Sequence, residues 1–168
     1  NILETINKSA FKLLASQSLE KLCVTIVEEA KKLVGAEHGS IYLLEKHKLE
    51  KIYTSSHILK KTKVKKKGYT EQTFRTRKIT ILRGIEMENV DPEVKSLKIK
   101  SVVLIPLSYK TESIGVLTLY SLKEEYFTSK QLYILKLFSS MACLAIVKTK
   151  LHEETKKAVE VRDRFIAL

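Results

Sequence analysis

The chain has 168 residues, 44% hydrophobic and 30% charged, with only 5 glycines and 2 prolines. Such a composition fits one globular domain with helical extensions, long enough to bury a real core, and excludes a disordered chain. The formal net charge of +12 favours acidic surroundings without specifying a partner, and we expect no membrane span, because no stretch approaches ~18 consecutive apolar residues.

In chain order, Leu3, Ile6, Ala10 and Leu13 fall at helical spacing and predict an opening helix. A break at Ser16, Gln17 and Ser18 supplies an N-cap for a second helix over 19–34. That helix carries Leu22, Cys23, Ile26, Val27, Ala30 and Leu33 on one face and stops at Gly35. Residues 40–44 are β-branched and aromatic and read as a buried strand, paired with 49–54 in a hairpin. The lysine-rich stretch 58–68 has no assignable period. Residues 69–76 read as a short helix anchored by Phe74, and 79–82 as a short strand. A turn of helix near Asp91, Pro92 and Glu93 leads to two runs, 101–107 and 113–120, that are apolar on both faces. Such strands sit in the middle of a covered sheet, and their short polar link makes them an antiparallel hairpin.

A long helix then starts at about Thr128. Leu132, Leu135, Phe138, Ala142, Ala145 and Ile146 form its core face. A second stripe alternates steps of four and three: Leu137, Met141, Leu144, Lys148, Leu151, Thr155, Ala158, Arg162 and Phe165. It outruns any sheet this chain could build, so it calls for a partner helix, most simply from a second copy. The last ten residues carry no glycine, proline or cap, and the chain is expected to be a module of a longer protein.

The run 28–44, with a helix end, Gly35-Ala36 and a small residue before the first strand, resembles the opening of a GAF domain. So do Gly68 with 74–78, Asp91-Pro92-Glu93, 97–107, 113–119, and Phe127-Thr128 with Gln131-Leu132. Residues 158–168 resemble the segment entering the dimerisation helices of sensor histidine kinases, although the His-Glu box is absent and His152 lacks its context. The resemblance implies an α+β fold: a GAF/PAS-like central antiparallel β-sheet of five to six strands, with the N- and C-terminal helices packed on one face. It implies a linker or dimerisation helix over 1–17, the GAF domain over 18–150 and the start of a signalling helix over 151–168. It also implies a small-molecule pocket on the face away from those helices.

Ser40 matches a ligand-facing small residue of the family, and period-two alternation then puts Tyr42 on the same side, with Ile41 and Leu43 toward the helices. On the later strand Leu117 and Leu119 read as helix-facing, leaving Val116, Thr118 and Tyr120 toward the pocket. Tyr53, Phe74 and Val103 complete the expected lining. The open alternative is a face filled by its own side chains.

No catalytic group is expected. The chain lacks Cys-x-x-Cys, His-Glu-x-x-His, a phosphate loop and a Ser/His/Asp grouping. Cys23 and Cys143 sit in apolar helical patterns and read as inert thiols of a reducing cytoplasm, with a reactive pair as the alternative, away from the pocket loops where a chromophore or reductase cysteine would stand. The signature of cyclic-nucleotide binders is absent, His57 is the one candidate haem ligand but reads first as a solvent-facing imidazole, and no metal site is read, so the cofactor stays unknown. The run from Lys60 to Lys67 lacks the arginines and aromatics of a single-strand binder. It reads as a solvated loop, with anionic lipid or RNA as its alternative and nucleic acid disfavoured. The functional expectation is a cytoplasmic sensory module of a two-component histidine kinase, homodimeric and coupled to downstream kinase domains. Its alternatives are a ligand-free dimerising spacer and a basic binding module.

Overall fold

The computed structural model describes residues 1–16 and 18–167. Helix α1 (Ile2–Leu14) starts where the Asn1 side chain accepts from the Leu3 amide at 2.9 Å. Helix α2 (Leu19–Val34) is capped by Ser18, which accepts from the Lys21 amide at 3.2 Å. It ends at Gly35, whose φ of 70° lets the chain turn off in the left-handed region. Strands β1 (His38–Glu45) and β2 (Lys48–Thr54) follow, then helix α3 (Tyr69–Thr76), strand β3 (Thr80–Arg83) and the short helix α4 (Pro92–Ser96). Strands β4 (Ser101–Tyr109) and β5 (Glu112–Ser121) lead into helix α5 (Ser129–Ala167).

The five strands form one antiparallel sheet in the order β2-β1-β5-β4-β3. The two most apolar strands, β4 and β5, lie inside it, as runs without alternation require. Helices α2 and α5 cover one face, and α1 packs across those two helices. There Leu22, Ile26, Ile41, Leu117, Leu119 and Phe138 are fully buried. The other face carries a second apolar layer of Tyr42, Leu59, Leu82, Val102, Leu104 and Val116, roofed by α3, α4 and the segment between β2 and α3. A five-stranded sheet backed by terminal helices agrees with the expected α+β architecture.

Contrary to the expectation, α5 is long and apolar enough by length and composition to cross a membrane. Its charges are sparse in the half whose Leu135, Phe138, Ala142 and Ile146 lie against the sheet, and a core helix passes the same test as a span. From Leu151 to Ala167 every residue is exposed.

An ion pair docks α1 on α2. The Glu29 side chain is 5% exposed and meets Lys12 of α1 at 2.9 Å and Lys32 at 3.3 Å. Burial alone would raise its pKa, but hydrogen bonds and charge from Lys12 and Lys32 outweigh burial and hold it below the ordinary glutamate value. A depressed folded pKa gives stability that is present above the unfolded value of ~4.3 and lost as pH falls through the folded one. Both lysines reach solvent, so Glu29→Gln should cost only about 1 kcal/mol. Hydrogen exchange should show faster opening of α1 with β4 and β5 unchanged; an unaltered α1 would remove this role.

Candidate functional site

On the face away from α1, α2 and α5, the sheet forms the floor of a cavity of about 460 Å³, within the range of small-molecule sites. Tyr42 of β1, Val102 and Leu104 of β4, and Thr118 and Tyr120 of β5 supply the floor. These residues are neighbours because the register pairs Val102 with Tyr120, Leu104 with Thr118, and Tyr42 with Val116. The rim comes from Lys63, Lys65, Lys66, Lys67, Asp91 and Val94. Four lysines against one aspartate leave that rim positive. Lys65 is ion-paired with Asp91, which ties the lysine segment to the start of α4.

The floor is polar at a few points. Thr118 is 3% exposed, and its Oγ1 has no hydrogen-bond partner among the described residues. An orphaned buried hydroxyl is destabilising unless something pairs with it. Burial raises the pKa of Tyr42 and holds that of Tyr120 well above the ordinary tyrosine value, so both phenols stay protonated and able to donate.

Of the eight expected lining residues, Tyr42, Thr118 and Tyr120 line the cavity. Val116 and Phe74 belong to the same apolar layer without bordering the space. Ser40 pairs with Thr118 in the sheet, but it is fully buried and donates its hydroxyl to Thr54 Oγ1 at 2.8 Å. Two expectations need correction. Tyr53 lies on the helix face, where its hydroxyl donates to Glu28 of α2 at 2.8 Å. The cause is a bulge: Ile41 pairs with Tyr53 but Tyr42 with Lys51, so Ile52 is an extra residue that shifts the parity of β2. Val103 also faces the helices, because it pairs with Leu119, and directly opposed residues share a face. The real β4 lining, Val102 and Leu104, follows from that register. His57 is exposed at a turn and is not among the residues lining this cavity.

Lys51, opposite Tyr42 in the register before the bulge, stands on the cavity side, with its Nζ 5.6 Å from the centre of the Tyr42 ring. The ammonium donates to Leu59 O at 2.5 Å, to Thr62 O at 2.7 Å and to Thr62 Oγ1, pinning the roof segment to β2. Burial lowers its pKa to about 8, against the pull of Asp91 and Glu93. Through Lys51 alone the unfolded chain binds more protons than the folded one between about 8 and ~10.4, a contribution to stability that rises with pH. Groups raised on folding oppose it, the buried thiols Cys23 and Cys143 from ~8.5 and the tyrosines Tyr42, Tyr53 and Tyr120 from ~10, because the unfolded chain loses those protons first. The two thiols outweigh the one lysine, so the melting temperature should fall above pH ~8.5, and Lys51→Met should steepen the fall. A flat wild-type profile would contradict this account.

The thiols lie elsewhere. Cys23 and Cys143 are free and buried in the helix layer. Burial, opposed by Lys150 and reinforced by Glu45 and Glu20, pushes Cys23 up to about 12. Burial, opposed by the Ser108 backbone, pushes Cys143 up to about 11. Neither is a thiolate near neutrality.

The family profile described as GAF domain matches residues 18–146. Among solved structures, the chain is similar to the GAF domain of a phosphoenolpyruvate-protein phosphotransferase from Coxiella burnetii, with TM-score 0.79 and 15% identity over 92% of this chain and 97% of that one. It is similar to the GAF domain of a two-component sensor histidine kinase from Bacillus halodurans, with TM-score 0.69 and 17% identity over 82% and 99%. A free methionine-R-sulfoxide reductase from Neisseria meningitidis matches with TM-score 0.71 and 12% identity over 90% and 91%. No curated protein matches. At these identities the structural likenesses speak for the fold alone, whereas the profile covers most of the sequence: the chain belongs to the GAF domain family, a family of sensory modules.

Proposed function

We propose that this GAF domain is the cytoplasmic sensory module of a two-component histidine kinase. It takes a small ligand in the tyrosine-floored cavity and passes that state through a paired α5 to kinase domains of the parent protein. The observation that carries this reading is the unburied length of α5. Leu144 is 58% exposed, Leu151 59% and Phe165 79%, and all three lie on the stripe that alternates steps of four and three. Leu137 and Met141, at the head of that stripe, are half covered by the domain's own core. An apolar groove of about 280 Å³ between α1 and α5, lined by Phe11, Leu14, Met141 and Leu144 among others, continues the same surface.

The occupant that fits is a second copy. A heptad stripe is self-complementary across a two-fold axis, and α1 adds Leu3 and Phe11, both more than half exposed. Lys148, Thr155 and Arg162 interrupt the seam and keep it weak enough to switch. A ligand that favours one packing of the helix pair by ~1–3 kcal/mol suffices to bias the output. The likeness to the Bacillus halodurans kinase domain and the two free thiols, which suit a reducing compartment, support the setting.

Light scattering should give twice the 19.2 kDa chain mass, and a monomer at high concentration would end this reading. A thermal-shift screen of metabolites and nucleotides separates a sensor from a dimerising spacer, since only the sensor is stabilised.

A further inference from the structure

A second concavity, of about 490 Å³, lies on the helix-covered side, between the residues after α3, strand β4 and the N-terminal half of α5. It is separate from the tyrosine-floored cavity and shares no lining residue with it. Two hydroxyls of its lining residues, Ser108 Oγ and Ser139 Oγ, are buried and have no hydrogen-bond partner among the described residues. Ser139 is 4% exposed. A helical serine normally has an acceptor one turn back, and Ser140 uses it, donating to Lys136 O at 3.0 Å. Ser139 leaves its own unused. Ser108 stands where the pairing of β4 with β5 slips between Leu107 and Ser108, and a bulge of this kind re-aims a side chain.

Three cations stand around these hydroxyls on separate stretches of chain: Arg77 at the end of α3, Lys78 beyond it, and Lys136 on α5. All three are exposed, and no carboxylate lines the space. The Arg77 guanidinium donates to the Thr111 carbonyl, which fixes its position and leaves further N–H donors free. Buried donors without acceptors beneath uncompensated positive charge form a site for an acceptor-rich anion.

We propose that this concavity binds a small oxyanion, a phosphate or a carboxylate, with Ser108 and Ser139 donating to its oxygens and Arg77, Lys78 and Lys136 neutralising its charge. The bound anion would bridge β4 to the N-terminal half of α5. Nothing in this assignment depends on the sensory reading above.

The test uses the labelled full chain and two-dimensional NMR. Inorganic phosphate, malonate and sodium chloride are titrated in parallel at matched ionic strength. Saturable shifts are expected at the Ser108, Lys136 and Ser139 amides with phosphate or malonate, and the anion saturating at lower concentration identifies the source. Ser108→Ala with Ser139→Ala should weaken binding roughly tenfold. Their melting temperature should hold or rise, since each change removes an unpaired polar group, so loss of binding is not loss of fold. Lys136→Gln should weaken binding and reduce its salt dependence, whereas glutamines at Lys65, Lys66 and Lys67 should leave it intact. The assignment is overturned by any of four results: no saturable shift at those amides, the same shifts with chloride, shifts confined to the 63–67 lysines, or wild-type affinity in the double serine variant.

Discussion

Replacing Gly115 with alanine should destabilise the domain by about 1–3 kcal/mol, and valine should cost more. Gly115 lies in the central strand β5, between Leu43 of β1 and Leu107 of β4. A Cβ there would stand 2.2 Å from the Tyr42 carbonyl oxygen and 2.8 Å from Leu43 Cδ2. The nearer atom is backbone of an interior strand, so relief requires β1 and β5 to move apart. Elsewhere a glycine-to-alanine change gains ~0.4–1 kcal/mol by restricting the unfolded chain, and the steric cost here exceeds that gain. Urea denaturation should show a lower midpoint with an unchanged slope. A variant as stable as wild type would mean that β1 and β5 do not approach as closely as described.

The same strands show what could be read from the sequence and what could not. Helix ends were legible because their causes are local: Ser18 and Gly35 act within a few residues of themselves. Facing was legible on β1 and β5, where Ile41, Leu43, Leu117 and Leu119 point to the helices and Tyr42, Thr118 and Tyr120 to the cavity. On β4 an unbroken apolar run has no alternation to follow, and only its pairing with β5 places Val103 on the helix side. Tyr53 fails for a different reason. Nothing in its neighbours signals the extra residue at Ile52, and a single bulge inverts everything beyond it.

The lysine rim was hidden for a third reason. A run of charges has no period, so its solvated face is readable and its contacts are not. Val64 packs beneath the run and Lys65 pairs with Asp91, contacts that exist only once α4 has docked. Ser108 and Ser139 were silent in the same way. Serine is ordinary both at a strand end and in a helix, and only the missing partners single them out.

Leu144→Glu combined with Leu151→Glu should dissociate the proposed dimer while leaving each domain folded. Both side chains are more than half exposed, so within one chain the substitutions remove little packing, and exposed sites usually respond by less than ~0.5 kcal/mol. Across a two-fold seam the account differs, because each change occurs twice. Each leucine lost forfeits about 1.5–3 kcal/mol of burial, and each carboxylate in the seam adds a desolvation cost that no partner offsets. Even a conservative total of roughly 4 kcal/mol weakens association about a thousandfold. Scattering should then report the 19.2 kDa monomer at concentrations where the wild type is paired. The dependence of melting temperature on protein concentration should vanish with it. Lys148→Leu tests the opposite direction: replacing a polar seam position should tighten the proposed pair and, in the proposed parent kinase, lock the output against a ligand. If the double glutamate variant stays dimeric, the contact lies elsewhere on the surface, and α5 is not the element that carries the signal.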